Sequence, residues 1–436
     1  MKILYKEQPH LHQPGPLDAF LGIPPTATDG ADRAQAQLKG RLYPRAQLVD
    51  ILADYNQEIG NDAQAMKNIA ALKDPNSACV ITGQQVGLMG GPSYTILKGI
   101  TCLLAARETG AIPIFWAATE DHDIAEIDHT YLQDTKGNLR EFRLKFSREG
   151  HFVEDLILSD HHLEEICSFC EEANFSRTLW EPPLRPGDSF AGAMMRLLVQ
   201  LFAGTGLVFV EPKLLRPLAV PFVQKEIRES MALFQVLQGT TQRLISAGGD
   251  PILNLEEPTN LFYKTDQGLR RKVRREGERF LIGEEAYTEE QLLLLSEQEP
   301  MRWSCNAAAR TVLQSLLFPT LAYVAGPTEL GYFRQLLDYH RAHGVPMPWI
   351  VHRLSATFIP RDAANDLEAC GLEPWDPIPE KGAQQHRLRN LLHPHHTSQE
   401  RLLNWLGFQG KTQENMVRSL LSSLDWHAAG HYYCWI

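Results

Sequence analysis

Three short stretches of the chain combine glycines with ionisable side chains in a way that packing alone does not require. The first, TGQQVGLMGGPSYTILK at 82–98, sets Gly83, Gly87, Gly90 and Gly91 ahead of Pro92 and Lys98. Glycine lets backbone approach a ligand closely, and a proline at a helix start leaves N–H groups at the positive end, so an anionic group suits this turn. It matches neither the Walker pattern, since no Gly-Lys-Ser/Thr follows, nor the fingerprint G-x-G-x-x-G. A tight structural turn is the alternative.

The second stretch, ATEDHDIAEIDH at 118–129, puts Glu120, Asp121, His122 and Asp123 directly after an apolar run. Charges at the end of a buried strand need partners, so the cluster points to proton transfer or substrate binding. If 122–129 begins a helix, His122, Glu126 and His129 share one face at a spacing a metal could exploit, and a metal-dependent hydrolase becomes a rival reading. Acidic capping of a helix start is the plainer one. In the third stretch, AGPTELGYF at 325–333, Gly326, Glu329 and Tyr332 follow another apolar run; Asn306 and Arg310 lie in SCNAAAR and Arg353 in VHRLS. An arginine at a strand end suits a carboxylate or phosphate through its bidentate fork, or an ordinary interdomain ion pair.

Other patterns read as structural. Cys167-x-x-Cys170 sits in HHLEEICSFCEEA, whose spacing is helical, with no second ligand pair at zinc-finger distance. The basic run Arg270–Arg275 reads as a solvated hairpin or helix face, and the His cluster at 393–396 as a loop.

The elements that must position these residues follow from periodicity. SACVIT reads as a strand, and from Pro92 the residues Ile96, Leu97, Ile100, Leu103 and Leu104 recur at helical spacing until Gly110, after which AIPIFWAAT reads as a strand covered on both faces. A helix with Phe190, Met194, Leu197, Leu198 and Leu201 leads into the strand LVFV; LAYVA leads through GPTEL and a helix closed by Gly344 into the strand PWIV. This alternation predicts an α/β fold with a Rossmann-like doubly wound parallel sheet, its site built from the loops after residues 82, 119, 325 and 352. Expected domain limits are an N-terminal helical segment over 1–75, core over 76–130, 189–239 and 301–360, inserted subdomains over 131–188 and 240–300, and a C-terminal helical region over 361–436.

With 436 residues, one compact core is too few. A net charge of −11 argues against a nucleic-acid partner. The N-terminal residues lack a signal-peptide pattern, no apolar run is long enough to span a bilayer, and seven scattered cysteines suit reduced thiols, so a cytoplasmic location without membrane association is expected.

In order along the chain, TGQQVGLMGGPSYTILK, EDHDIAEIDH, NLFY, SCNAAAR, YVAGPTELGYF, VPMPWIVHRLS and SQERLLNWL resemble the bacillithiol-biosynthesis cysteine-adding enzyme family, BshC. The resemblance implies a core similar to class I aminoacyl-tRNA synthetases and nucleotidyltransferases. It also implies a ligase that joins L-cysteine, through its carboxyl group, to the amine of glucosaminyl-malate in the last step of bacillithiol synthesis. Family members usually carry a long antiparallel coiled coil associated with dimerisation, but only residues 361–392 lie at that place here. A monomer, or a dimer not relying on the coil, is expected.

Amide formation needs an activated acyl group, and the fold analogy suggests ATP with Mg²⁺, through an acyl-adenylate or acyl-phosphate, with no permanent metal. In that picture Thr82, Gly83, Gln84, Gln85, Gly91 and Lys98 bind the nucleotide. Asp121, His122 or Asp123 is the base that frees the amine. Arg353, with Arg310 and Asn306 as alternatives, takes the malate carboxylates, Glu329 takes the cysteine ammonium, and Glu126, His129, Gly326 and Tyr332 complete the substrate surface. A non-catalytic ligand-binding relative is the remaining alternative.

Overall fold

The computed structural model describes residues 2–7, 15–133, 139–146, 150–172, 184–359, 365 and 430–435. The His cluster at 393–396 and, apart from residue 365, the short coil region at 361–392 lie outside them.

Five parallel strands form the central sheet: β1 (Cys79–Gln84), β2 (Ile112–Ala117), β3 (Val208–Val210), β4 (Thr320–Ala325) and β5 (Trp349–His352). Their spatial order is β3-β2-β1-β4-β5, so the winding reverses between β1 and β4. Each strand is a nearly unbroken apolar run because both faces are covered. Val80, Phe115, Val324 and Val351 point into one core; Ile81, Ile114, Trp116, Tyr323 and Ile350 point into the other. The expected Rossmann-like doubly wound sheet is the architecture of the chain.

Helix α1 (Ser93–Thr109) connects β1 to β2, with Pro92 as its N-cap and Gly110 left-handed at its C-cap. It begins one residue after the position expected from sequence. Helix α2 (Phe190–Leu201) packs on the same side, with the Ser189 hydroxyl accepting from Gly192 N–H. Gly99 lies mid-helix in α1, where a Cβ would stand 2.4 Å from the Phe202 ring. In an exposed helix glycine-to-alanine gains up to ~1 kcal/mol. Here overpacking outweighs that gain, and Gly99→Ala is expected to destabilise the fold by ~1–3 kcal/mol, read as a lowered urea midpoint at unchanged slope.

Two helices open on cleft residues. Helix α3 (Ala307–Leu317) is capped by Asn306, whose Oδ1 accepts from Ala309 N–H at 3.0 Å. Helix α4 (Pro327–Phe333) follows β4 directly, and Glu329 Oε2 accepts from Gly326 N–H at 2.8 Å. Helices Arg45–Glu58 and Ala63–Ala71 pack on the face opposite α1.

The excursions between β2 and β4 carry separate β structure. Strands 261–264, 270–276, 279–282, 285–287 and 303–305 form an antiparallel sheet, so the basic run is a strand with Arg270 at its start. Residues 129–133 and 139–143 form a hairpin. The helical reading of 122–129 is overturned: only Ile124–Glu126 makes a 3₁₀ turn, and His129 opens the hairpin strand. Ile127 C=O accepts from Leu88 N–H, and that bond with the hairpin ladder takes the backbone groups a helix would have used. Lys2–Glu7, Gly430–Trp435 and Ser355–Ile359 form a third sheet, so the described residues of the two terminal regions expected to be helical include strands.

Candidate active site

A cleft of about 590 Å³ opens beyond the carboxyl ends of β1, β2 and β4, where the winding reverses. At its centre Lys98, projecting from α1, is almost completely buried. Its ammonium donates to Gly83 C=O at 2.8 Å and Gln84 Oε1 at 3.0 Å, and pairs with Glu329. Three donors thus meet three protein acceptors, which removes Lys98 as a free cation for phosphate. Burial lowers its pKa, and Glu329 opposes that shift.

Arg310 reaches the same place from α3. It donates to Tyr323 Oη at 3.2 Å and Tyr332 Oη at 2.8 Å, and Tyr323 in turn donates to Glu329 Oε1 at 2.8 Å. A Cβ on Gly83 would lie 3.0 Å from Arg310 Nη1, and one on Gly326 would lie 3.4 Å from Arg353 Nε. Each strand-end glycine therefore leaves a guanidinium reachable by a ligand. Arg353 donates to Leu354 C=O at 3.0 Å and lies over the Tyr94 ring at 5.4 Å.

The opposite wall begins after β2. Asp121 accepts from Gln85 Nε2 and from His122 N–H, each at 2.7 Å. Burial alone would raise its pKa, but its bonds to His122, nearby Arg270 and Gln85 hold it well below the usual range. Arg270 lies 3.7 Å over the Phe262 ring, donates to Cys305 C=O at 2.9 Å and contacts His122 Nδ1 at 3.1 Å. Behind it Arg216 makes a bidentate pair with Glu154, at 2.7 and 3.0 Å, while Glu120 stands 3.5 Å from Arg216 Nε.

Of the residues singled out from sequence, Gly83, Gln84, Gln85, Lys98, Asp121, Glu126, Asn306, Arg310, Gly326, Glu329, Tyr332 and Arg353 line the cleft. The others fall elsewhere for identifiable reasons. Thr82 is buried in the sheet, its hydroxyl donating to Val324 C=O at 3.1 Å. Gly91 packs against Gly87, where a Cβ on Gly87 would meet Gly91 Cα at 2.8 Å. His122 and Asp123 lie outside the lining, and His129 pairs with Asp128 at 3.2 Å on the hairpin. The face His122, Glu126 and His129 would share on a helix does not exist, and no group of three His, Cys, Asp or Glu able to hold a metal occurs among the described residues. Cys167 and Cys170 lie on one helix, and burial pushes the Cys170 thiol up to about 12.

Sequence reasoning missed Tyr94, Trp116, Phe262, Arg270, Glu154 and Arg216, and named Glu120 only within the acidic stretch. Arg270 carried a signal of sorts: Lys264 and Arg270 pair across the hairpin turn, which sets Phe262, two residues before Lys264, diagonally opposite Arg270 with its ring beneath the guanidinium.

Reversed winding with a polar cleft at the switch point defines a Rossmann-type fold, whose cleft stands where such folds bind their ligands. A family model described as "Bacillithiol biosynthesis BshC, N-terminal Rossmann-like domain" matches residues 12–354, and the chain belongs to that family. Proteins named "Putative cysteine ligase BshC" are similar to it. The Bacillus cytotoxicus protein is 31% identical over 78% of this chain and 66% of its own length, and that of Geobacillus thermodenitrificans 32% over 83% and 70%. The Koribacter versatilis protein is 32% identical over 76% and 64%. The chain spans about two thirds of the length of such relatives. No helix among the described residues is long and apolar enough to cross a membrane.

Proposed function

We propose that the chain is a cytoplasmic ligase that joins the carboxyl group of L-cysteine to the amine of glucosaminyl-malate. The observation that carries this reading is one cleft with the two guanidiniums of Arg310 and Arg353, beside Glu329, on one side and the carboxylates of Glu120 and Asp121, beside Arg270, on the other. A substrate with a dicarboxylate at one end and an amine at the other is complementary to that division. The printed name of the similar proteins, cysteine ligase, supports the same class of reaction.

The glycine cradles at Gly83 and Gly326 accommodate an anion beside Arg310 and Arg353, so the residues fit a nucleotide phosphate as well as a carboxylate. ATP with Mg²⁺, when bound, supplies a good leaving group on the carboxyl carbon. The chain's own residues do the rest. Arg310 is fixed in direction by Tyr323 and Tyr332, so it offers its free N–H groups without reorganising. Lys98 and Glu329 hold the ends of β1 and β4 together, and Gln85 holds Asp121 against the wall. Trp116, Pro212 and Phe262 exclude water from the remaining surface.

The test mixes purified protein with glucosaminyl-malate and L-cysteine, with and without Mg-ATP, and follows product mass. Bacillithiol only with ATP supports both ligase and nucleotide. Bacillithiol without ATP retains the ligase and removes the nucleotide. No product from folded protein overturns the reading.

A further inference from the structure

We propose that Glu120 is the group that takes the proton from the substrate's ammonium, making the amine nucleophilic; this rests on the ligase reading. The basis is a contrast between two adjacent carboxylates. Asp121 is engaged on both oxygens, with Gln85 Nε2 on one and the His122 and Asp123 N–H groups on the other, at 2.7 and 3.4 Å. Glu120 is buried and lines the cleft, and among the described residues the partner it faces is Arg216, whose Nε stands 3.5 Å from Oε1. Its nearest cation is committed elsewhere: Arg216 gives Nη1 and Nη2 to Glu154, and Nη1 also to Met301 C=O at 2.8 Å. What remains for Glu120 is Arg216 Nε at 3.5 Å, a buried donor without a hydrogen-bond partner.

A carboxylate so placed, with a fixed position and a poorly engaged charge, is a proton acceptor rather than a structural anion. The charged and titratable groups around it are Arg216 from residues 212–219, Glu154 from the turn at 153–155, Arg270 from the strand at 270–276 and Cys305 from the strand at 303–305. Burial, only partly offset by Arg216, moves the carboxyl up to about 7, which matches a base to neutral pH. The step is a single proton transfer. One N–H bond of the ammonium breaks, its electron pair stays on nitrogen as the attacking lone pair, and an O–H bond forms on Glu120. Arg216 and Glu154 are positioning residues.

The experiment compares wild type with Glu120→Gln and Glu120→Asp in the ligase assay across pH 5–9, using glucosaminyl-malate and, separately, hydroxylamine, which is unprotonated at neutral pH. Wild-type kcat is expected to rise through about pH 7. Glu120→Gln should lower kcat for the natural amine by roughly 10²–10⁴-fold with KM little changed, and lose that rise. Hydroxylamine should bring the variant to within about tenfold of wild type. Glu120→Asp, which keeps the carboxylate, should retain the pH rise at reduced rate and serves if the glutamine variant does not fold. An equal loss with both acceptors, or a Glu120→Gln profile that keeps the rise at near wild-type rate, overturns the assignment while leaving the ligase intact. Absence of product from wild type overturns the ligase reading and this assignment with it.

Discussion

Replacing Arg216 with methionine is expected to lower the unfolding free energy by about 3–5 kcal/mol near pH 8. The arginine is the shared counterion of Glu154 and Glu120, all three side chains being under a tenth exposed. Methionine fills similar space but leaves two carboxylates facing each other in a poorly solvated wall. The loss depends on pH in a definite direction. Burial already raises both carboxyls above their ordinary values, and Arg216 opposes the rise; without it both go higher. A carboxyl raised in the folded state contributes stability below its unfolded pKa and loses it as pH rises through the folded value. The deficit should therefore be smallest near pH 4.5 and grow through pH 7 and beyond. Urea unfolding of both proteins at pH 5 and pH 8 checks this; a deficit equal at the two values would mean that lost packing, not stranded charge, sets the cost.

Arg310→Lys is expected to reduce kcat/KM for ligation by roughly 10²–10³-fold, as loss of one preorganised charge-stabilising donor does. Lysine keeps the charge but not the fork, and Arg310 uses Nη1 for Tyr323 and Nη2 for Tyr332, with Nη1 also facing Gly83. Lysine can satisfy the two phenols or a ligand in the cleft, but not with the same geometry. Steady-state rates at varied cysteine and glucosaminyl-malate read the effect. A loss confined to the KM of one substrate would assign Arg310 to ground-state binding of that substrate; an undiminished kcat/KM would remove it from the site.

The sheet was legible because IPIFWA and TLAYVA are apolar without interruption, a pattern that buried parallel strands share with few other elements of that length. Gly110, left-handed at the end of α1, marked its boundary for a steric reason that acts at one residue. The cleft residues that follow strands, such as Asp121, Glu329 and Arg353, could be found because a doubly wound sheet gathers its strand ends. Arg216 and Arg270 could not, because their partners stand far away in sequence: Glu154 is 62 residues from Arg216 and His122 is 148 from Arg270. The segment 122–129 misled because DIAEIDH is compatible with a helix locally, whereas the bond from Leu88 N–H to Ile127 C=O and the hairpin that follows are tertiary. Lys98 misled differently: its type suits phosphate, and only the acceptors around it show that its ammonium is already engaged.

The pairing of β1 with β4 joins Cys79 to Thr320 across the whole length of both excursions. Closing so long a loop carries a large entropic penalty, repaid only once the strands on either side are in register. The cleft straddles that seam, so it belongs to the last part of the sheet to assemble. A nascent chain that has emerged only as far as β3 holds its acidic wall and glycine turn but neither Glu329 nor Arg353. Ligand competence should therefore arise in one step late in refolding, after most of the helix signal has returned.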